Sequence, residues 1–130
     1  MSADDRLRSP LGRALGLGSA KEGVTHWWVQ RVTAVALVPL ALWFVASVVA
    51  LAGADRAAVV AWLHAPLAAI LMVLLLIALF YHWALGLQVV IEDYIHTEWR
   101  KISALVLNQF VAIALAIAGI FAVLRIALGS

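Results

Sequence analysis

The chain has 130 residues, of which 66% are hydrophobic and only 12% are charged, so it carries more apolar surface than a soluble core of this size can bury and is predicted to be a membrane protein. Its formal charge of +2 is not arranged as a basic stripe interleaved with aromatic residues outside the membrane flanks, which argues against nucleic-acid binding. The chain contains no cysteine, which excludes disulfides, thiolate ligands and an iron–sulfur cluster of its own.

The first 22 residues are predicted to form an irregular cytoplasmic arm. Pro10 and three glycines, Gly12, Gly16 and Gly18, interrupt helix formation in this segment. Terminal segments of this kind become ordered where a partner covers them. Residues 23–130 then form a single transmembrane anchor domain.

Three stretches without Asp, Glu, Lys or Arg follow the arm, at residues 32–54, 57–91 and 102–124. A helix needs about 20 apolar residues, each advancing about 1.5 Å, to cross a hydrocarbon core of about 30 Å. Each stretch can therefore cross once. We predict an all-α membrane protein with three transmembrane helices, over about residues 28–52, 65–92 and 102–126.

The second stretch is longer than one crossing requires, and Pro66 divides it. Proline favours the first turn of a helix, so the crossing helix is expected to start near Ala65. Residues 57–64 would then form a short amphipathic helix at the outer interface, with Trp62 as its anchor.

The third span contains two rows of alanine at four-residue spacing. Small residues at this spacing allow helix backbones to approach closely, so both rows are predicted to pack against other helices. The rows are Ala112/Ala116 and Ala114/Ala118/Ala122.

The basic residues predict the orientation of the chain. Five of the nine Lys and Arg residues precede the first uncharged stretch, and two lie between the second and the third. The remaining two lie between the first and second stretches and after the third. The positive-inside rule therefore predicts a cytoplasmic N-terminus and a periplasmic C-terminus.

His82 is predicted to lie deep in the membrane, about 15 Å along the second span from Glu92 at the inner surface. An ionisable residue at such a depth indicates a functional site, although a neutral imidazole bonded to a neighbouring helix would also explain it. Gly86 and Asp93 project within about 40° of His82 on a helix. Gly86 leaves a flat space beside the helix that could accept a planar macrocycle. Close packing of another helix would explain this glycine equally well.

A neutral imidazole is a good ligand for haem iron, and a six-coordinate haem needs a second axial ligand. The other histidines, His26, His64 and His96, are predicted to lie near the membrane surfaces. A haem held by His82 would therefore need a ligand from another subunit.

Arg31, Tyr94 and Asp93 are further candidates, each with a simpler alternative. Arg31, on the inner side of the first span, suits a haem propionate or a ligand carbonyl, or is an ordinary snorkelling arginine. Tyr94 can donate a hydrogen bond at the hydrocarbon boundary, or belongs to the aromatic belt. Asp93 places a negative charge at the C-terminal end of a helix, which is unfavourable for the helix dipole. This favours a functional role for Asp93, and the simpler alternative is that it only ends the helix in water.

Two segments, GVTHWWVQR at residues 23–31 and HWALGLQVVIEDY at residues 82–94, resemble the small hydrophobic membrane anchor subunit of bacterial succinate dehydrogenase, respiratory complex II, of the cytochrome b type. The shared pattern is an arginine before the first span, His-x-x-x-Gly, and Asp-Tyr starting eleven residues after the histidine. The resemblance extends over roughly residues 23–128, which covers all three spans.

The resemblance implies that the three helices pack with a larger cytochrome b anchor subunit around a shared haem b. His82 would be the axial iron ligand from this chain, with Gly86 beside the macrocycle and Arg31 near the propionates and the quinone pocket. Tyr94 would donate a hydrogen bond to a ubiquinone carbonyl, and Asp93 would support that site or its proton supply.

The implied function is that of an anchor subunit of succinate:quinone oxidoreductase in the bacterial inner membrane, serving the respiratory chain and the tricarboxylic acid cycle. A flavoprotein subunit and an iron–sulfur subunit on the cytoplasmic face would oxidise succinate, so the chain would not be catalytic alone. Two alternatives stay open: a fumarate reductase anchor, and a non-redox structural or assembly protein in which His82 only joins two helices. A proton-coupled transporter is disfavoured, because every Asp and Glu is predicted at or outside a membrane boundary.

Overall fold

The computed structural model describes residues 19–129, which form four helices. Their bounds are α1 Ser19–Ala50, α2 Arg56–His64, α3 Pro66–Tyr94 and α4 Glu98–Leu128. Helices α1, α3 and α4 each contain a segment long and apolar enough to cross a membrane. The predicted all-α fold with three transmembrane helices is therefore confirmed.

The first helix begins earlier than the boundary predicted for the anchor domain. It starts at Ser19, one residue after the last glycine of the predicted arm, and the Ala-Lys-Glu sequence that follows favours helix. Residues 1–18 of that arm lie outside the described residues.

Helices α2 and α3 are separated at Pro66, as the sequence predicts. Proline is the first residue of α3, where a missing N–H leaves no hydrogen bond unmade. The start of α2 is capped by Asp55, whose carboxylate accepts a hydrogen bond of 2.9 Å from the backbone N–H of Ala58. The second apolar stretch is thus divided into a short helix and a crossing helix.

Side chains of α2 contact both α1 and α4. Trp62 stacks on Trp43 of α1, with 5.5 Å between the ring centroids. His64 Nδ1 lies 3.0 Å from the carbonyl oxygen of Ala127 at the end of α4, and donates because a carbonyl can only accept. The short helix therefore contacts α1 at Trp43 and α4 near its C-terminal end.

Helix α3 is the middle member of a row of three. It packs against α1 on one side and against α4 on the other, whereas the described parts of α1 and α4 make no backbone contact with each other. A row of helices encloses no common core, so few side chains are buried. Those buried are Leu63, Ala68, Leu75, Ala78, Ala84, Asn108, Ala112 and Val123.

Only one of the two alanine rows in α4 is covered by another helix of the described residues. Ala112 is buried and Ala116 is half-buried, while all three members of the second row are exposed. Packing of the second row stays a prediction, which would need a helix from another subunit. The two rows lie on nearly opposite faces of α4, and in a row of helices only one face of an end member meets its neighbour.

Gly119 of α4 packs tightly against Leu76 of α3. A Cβ atom added there would lie 3.2 Å from Cδ1 of Leu76, which is tighter than ordinary van der Waals contact. The interface between α3 and α4 also contains a hydrogen bond of 2.9 Å, which Asn108 Nδ2 donates to the carbonyl of Ala84. This link joins α4 to α3 close to His82.

Substitution of Gly119 by Val is expected to destabilise the protein by about 1–3 kcal/mol, because the new side chain overlaps Leu76. Thermal denaturation in detergent should give a lower Tm for Gly119→Val than for Ala118→Val, a matched change at an exposed position of the same helix. Equal Tm values for the two variants would show that α4 does not pack against α3 through Gly119.

Candidate functional site

The candidate site is centred on His82, a half-buried residue in the middle of α3. Its Nδ1 atom lies 3.0 Å from Oγ1 of Thr33 in α1. The interhelical hydrogen bond foreseen as the simpler explanation of His82 is therefore present. It uses only one of the two ring nitrogens.

The second ring nitrogen of His82, Nε2, has no hydrogen-bond partner among residues 24–129. It is also not among the unpaired polar atoms sealed inside the described chain. Nε2 therefore reaches the surface of the chain, where it is accessible to another group. Neutral imidazole with one nitrogen bonded to the protein and the other free is the usual arrangement of a metal-binding histidine.

Gly86, one helical turn from His82, faces open space. No atom of the described chain outside its own helix backbone lies within 4 Å of a Cβ added at Gly86, in contrast to the tight contact at Gly119. Close packing within this chain therefore does not explain Gly86. The space beside it is available to a planar group or to another subunit.

Arg31 lies nearly level with His82. Thr33 is level with His82, and Arg31 is two residues before Thr33, which corresponds to about 3 Å along α1. Glu92 lies about 15 Å along α3 from His82, so Arg31 is about 12 Å from the level of Glu92. Its guanidinium stands 5.3 Å from the centroid of the Trp27 ring, and no carboxylate in the described part of the chain pairs with it. Arg31 is exposed, so its guanidinium is accessible to an anionic group from outside this chain.

Tyr94 and Asp93 form a separate cluster at the end of α3. Tyr94 is the last residue of the helix and is 79% exposed, and Asp93 is exposed as well. The neighbouring Glu92 accepts a hydrogen bond of 3.1 Å from Gln88 Nε2. The helical rise separates Tyr94 from His82 by about 18 Å. By the helical rise, His82, Gly86 and Arg31 therefore lie within about 6 Å of one another along the helix axes, whereas the Asp-Tyr pair lies at the end of α3.

Sequence reasoning missed three polar residues of the spans. Thr33 bonds His82, Asn108 bonds Ala84 and keeps an unpaired buried Oδ1, and Nε2 of His26 is buried inside the chain without a partner. Thr33 and Asn108 could have been found from the rule that a polar side chain in an apolar span needs a bonding partner. Nothing in the sequence marks the burial of His26.

No group of three or more His, Asp or Glu side chains converges in the described part of the chain. A metal centre at His82 would therefore need ligands from outside the described residues.

Comparison with known proteins identifies relatives over nearly the whole chain. Residues 5–121 match the family described as succinate dehydrogenase/fumarate reductase transmembrane subunit. The chain is 34% identical over 117 residues to the succinate dehydrogenase hydrophobic membrane anchor subunit of Rickettsia bellii, covering 90% of this chain and 94% of that one. It is 32% identical over 125 residues to the subunit of the same name from Paracoccus denitrificans, covering 96% of each chain. No solved structure matches significantly.

Proposed function

The chain belongs to the family of succinate dehydrogenase/fumarate reductase transmembrane subunits, and we propose that it contributes one axial ligand to a haem b and part of a ubiquinone-reduction site. It is a multi-pass protein of the bacterial inner membrane, and it anchors an enzyme complex rather than acting as an enzyme alone. The observation that carries the proposal is the state of His82, whose Nδ1 is held by Thr33 while Nε2 is open.

The partners follow from what this chain lacks. The chain has no cysteine, so an iron–sulfur cluster must be carried by another subunit, as must the flavin that oxidises succinate. A larger cytochrome b anchor subunit supplies the second axial ligand. The exposed apolar faces of α1 and α4 are where a helical subunit of this kind can pack.

The residues around His82 fit a haem. The open space at Gly86 accepts the edge of a flat macrocycle, and Arg31 is a cation of suitable depth that no carboxylate in residues 24–129 neutralises. Haem supplies one-electron transfer when it is bound, which no side chain here provides. The chain itself holds the imidazole, leaves room beside it and offers a positive charge to a propionate.

The Asp93 and Tyr94 cluster suits a quinone at the membrane boundary. The Tyr94 phenol donates a hydrogen bond to a quinone carbonyl oxygen, which makes the ring easier to reduce. Reduction of a quinone to a quinol consumes two electrons and two protons, and Asp93 lies where water can resupply protons. Because Tyr94 is largely exposed in this chain, other subunits must close the pocket.

A structural or assembly protein is the second candidate function, and the Thr33–His82 bond favours it as much as it favours haem binding. Such a protein needs the interhelical bond and no open Nε2. The family description covers succinate dehydrogenase and fumarate reductase together, while the relatives described above are named as succinate dehydrogenase subunits.

The purified complex is expected to show a reduced b-type absorption band that disappears in His82→Ala, because the iron loses one axial ligand. The visible spectrum of the assembled complex measures this, with His64→Ala as a control at a surface histidine. A colourless wild-type complex would favour the structural alternative.

Gly86→Leu is expected to lower the haem content of the complex by at least half while the chain itself still folds, since no atom of this chain lies within 4 Å of the added Cβ. The ratio of haem to protein, measured together with subunit stoichiometry, tests this. Loss of a partner subunit with haem retained would instead assign the space to helix packing.

Tyr94→Phe is expected to lower kcat/KM for quinone reduction about three- to tenfold, the loss of one hydrogen bond of roughly 1 kcal/mol. Haem content should not change, because Tyr94 lies about 18 Å along α3 from His82. Steady-state kinetics with a soluble quinone analogue measure the effect, with Tyr81→Phe as the control on the same helix. Unchanged kinetics would remove Tyr94 from the quinone site.

A further inference from the structure

Thr33 lies at the meeting point of three possible hydrogen-bond partners. Its Oγ1 is 3.0 Å from Nδ1 of His82 and 2.9 Å from the carbonyl oxygens of both Val29 and Gln30. A hydroxyl has one proton and two lone pairs, and a carbonyl oxygen can only accept. The position of that one proton therefore decides the tautomer of His82.

The two tautomers of His82 differ in how well they satisfy these contacts. If Nδ1 carries a proton, it donates to Oγ1, and the hydroxyl proton is shared between the carbonyls of Val29 and Gln30, so two protons serve the three short contacts. If Thr33 donates to Nδ1 instead, the oxygen lone pairs of Thr33 face two carbonyl oxygens at 2.9 Å with no hydrogen between them. The first arrangement is the more favourable in a low-dielectric surrounding.

We propose that Thr33 is the positioning residue of His82: it holds the imidazole in the tautomer protonated at Nδ1, fixes the plane of the ring and leaves the lone pair of Nε2 free for iron. The proposal rests on the proposed haem-binding function. A ring N–H donated to a hydrogen-bond acceptor makes a ligating imidazole more basic and restricts its rotation. Thr33 is connected through its hydroxyl to the backbone of α1, so the ring is held by a rigid element.

The consequence is that one hydroxyl of α1 sets both the affinity for haem and its reduction potential. A more basic axial ligand favours ferric iron, so the hydroxyl lowers the midpoint potential. Removal of the Thr33 hydroxyl also leaves the Nδ1 proton of His82 without an acceptor inside the membrane. Both effects originate in this chain, while the second axial ligand belongs to the partner subunit.

The test compares Thr33→Val, Thr33→Ser and Ser47→Ala in the assembled complex, purified with subunit stoichiometry checked. Valine has the shape of threonine without the hydroxyl, and serine keeps the hydroxyl. Ser47 donates to the carbonyl of Trp43 at 2.8 Å, which is the same bond within α1 but without a partner on another helix. Ser47→Ala is therefore the matched control for loss of a hydroxyl from this helix.

Three readouts are used: the midpoint potential from an optical redox titration, the g values of the ferric low-spin electron paramagnetic resonance signal, and haem transfer to an excess of a haem-scavenging apoprotein. Thr33→Val should shift the potential upward, alter the g values and weaken haem binding about 10- to 100-fold. Thr33→Ser and Ser47→Ala should keep the wild-type values. A purely structural role for Thr33 would change stability without moving the potential or the g values.

A Thr33→Val complex with wild-type potential and g values would overturn the proposal and leave the haem-binding function intact. If Thr33→Val fails to assemble, a Thr33→Ser complex with a shifted potential would overturn it, since the hydroxyl is retained. A haem-free wild-type complex would overturn the proposed function, and this inference with it.

Discussion

The hydrogen bond between Thr33 and His82 is the contact on which the arrangement of this chain depends. In a membrane no water satisfies a polar group, so the two side chains must face each other, and this pairs α1 with α3 at a defined height. At that height Arg31 is nearly level with the imidazole. Burial of apolar residues sets this register less sharply, because lipid tails are as apolar as the side chains of α1.

The row arrangement explains why the chain does not form a complete site. With α3 between α1 and α4, each outer helix keeps a long face uncovered, and few side chains are buried. Arg31 is likewise exposed, and no carboxylate in residues 24–129 pairs with it. A subunit of a larger membrane complex has these properties, since its neighbours complete the interfaces. The unpaired Nε2 of His26 and Oδ1 of Asn108 are different, because both atoms are buried inside this chain.

Gly86 and Gly119 show how one residue type serves two purposes. Gly119 allows α4 to approach Leu76, and a side chain there would overlap it. Gly86 has no such neighbour, although it is on the same helix face as His82. From the sequence alone the two cannot be distinguished, because small size permits both close packing and open space.

The sequence by itself determined the membrane class, the three crossings, the break at Pro66 and the pattern of His82, Gly86, Asp93 and Tyr94, because each depends on local hydropathy, backbone chemistry or helical spacing. It also carried the family resemblance, which the comparison with relatives confirmed. Only the tertiary structure decided that Thr33 is the partner of His82, that this chain covers one alanine row of α4 and leaves the other exposed, and that Nε2 of His26 is buried. These features depend on which helix faces meet and at what height, and a periodic pattern along one chain segment contains no information about its neighbour.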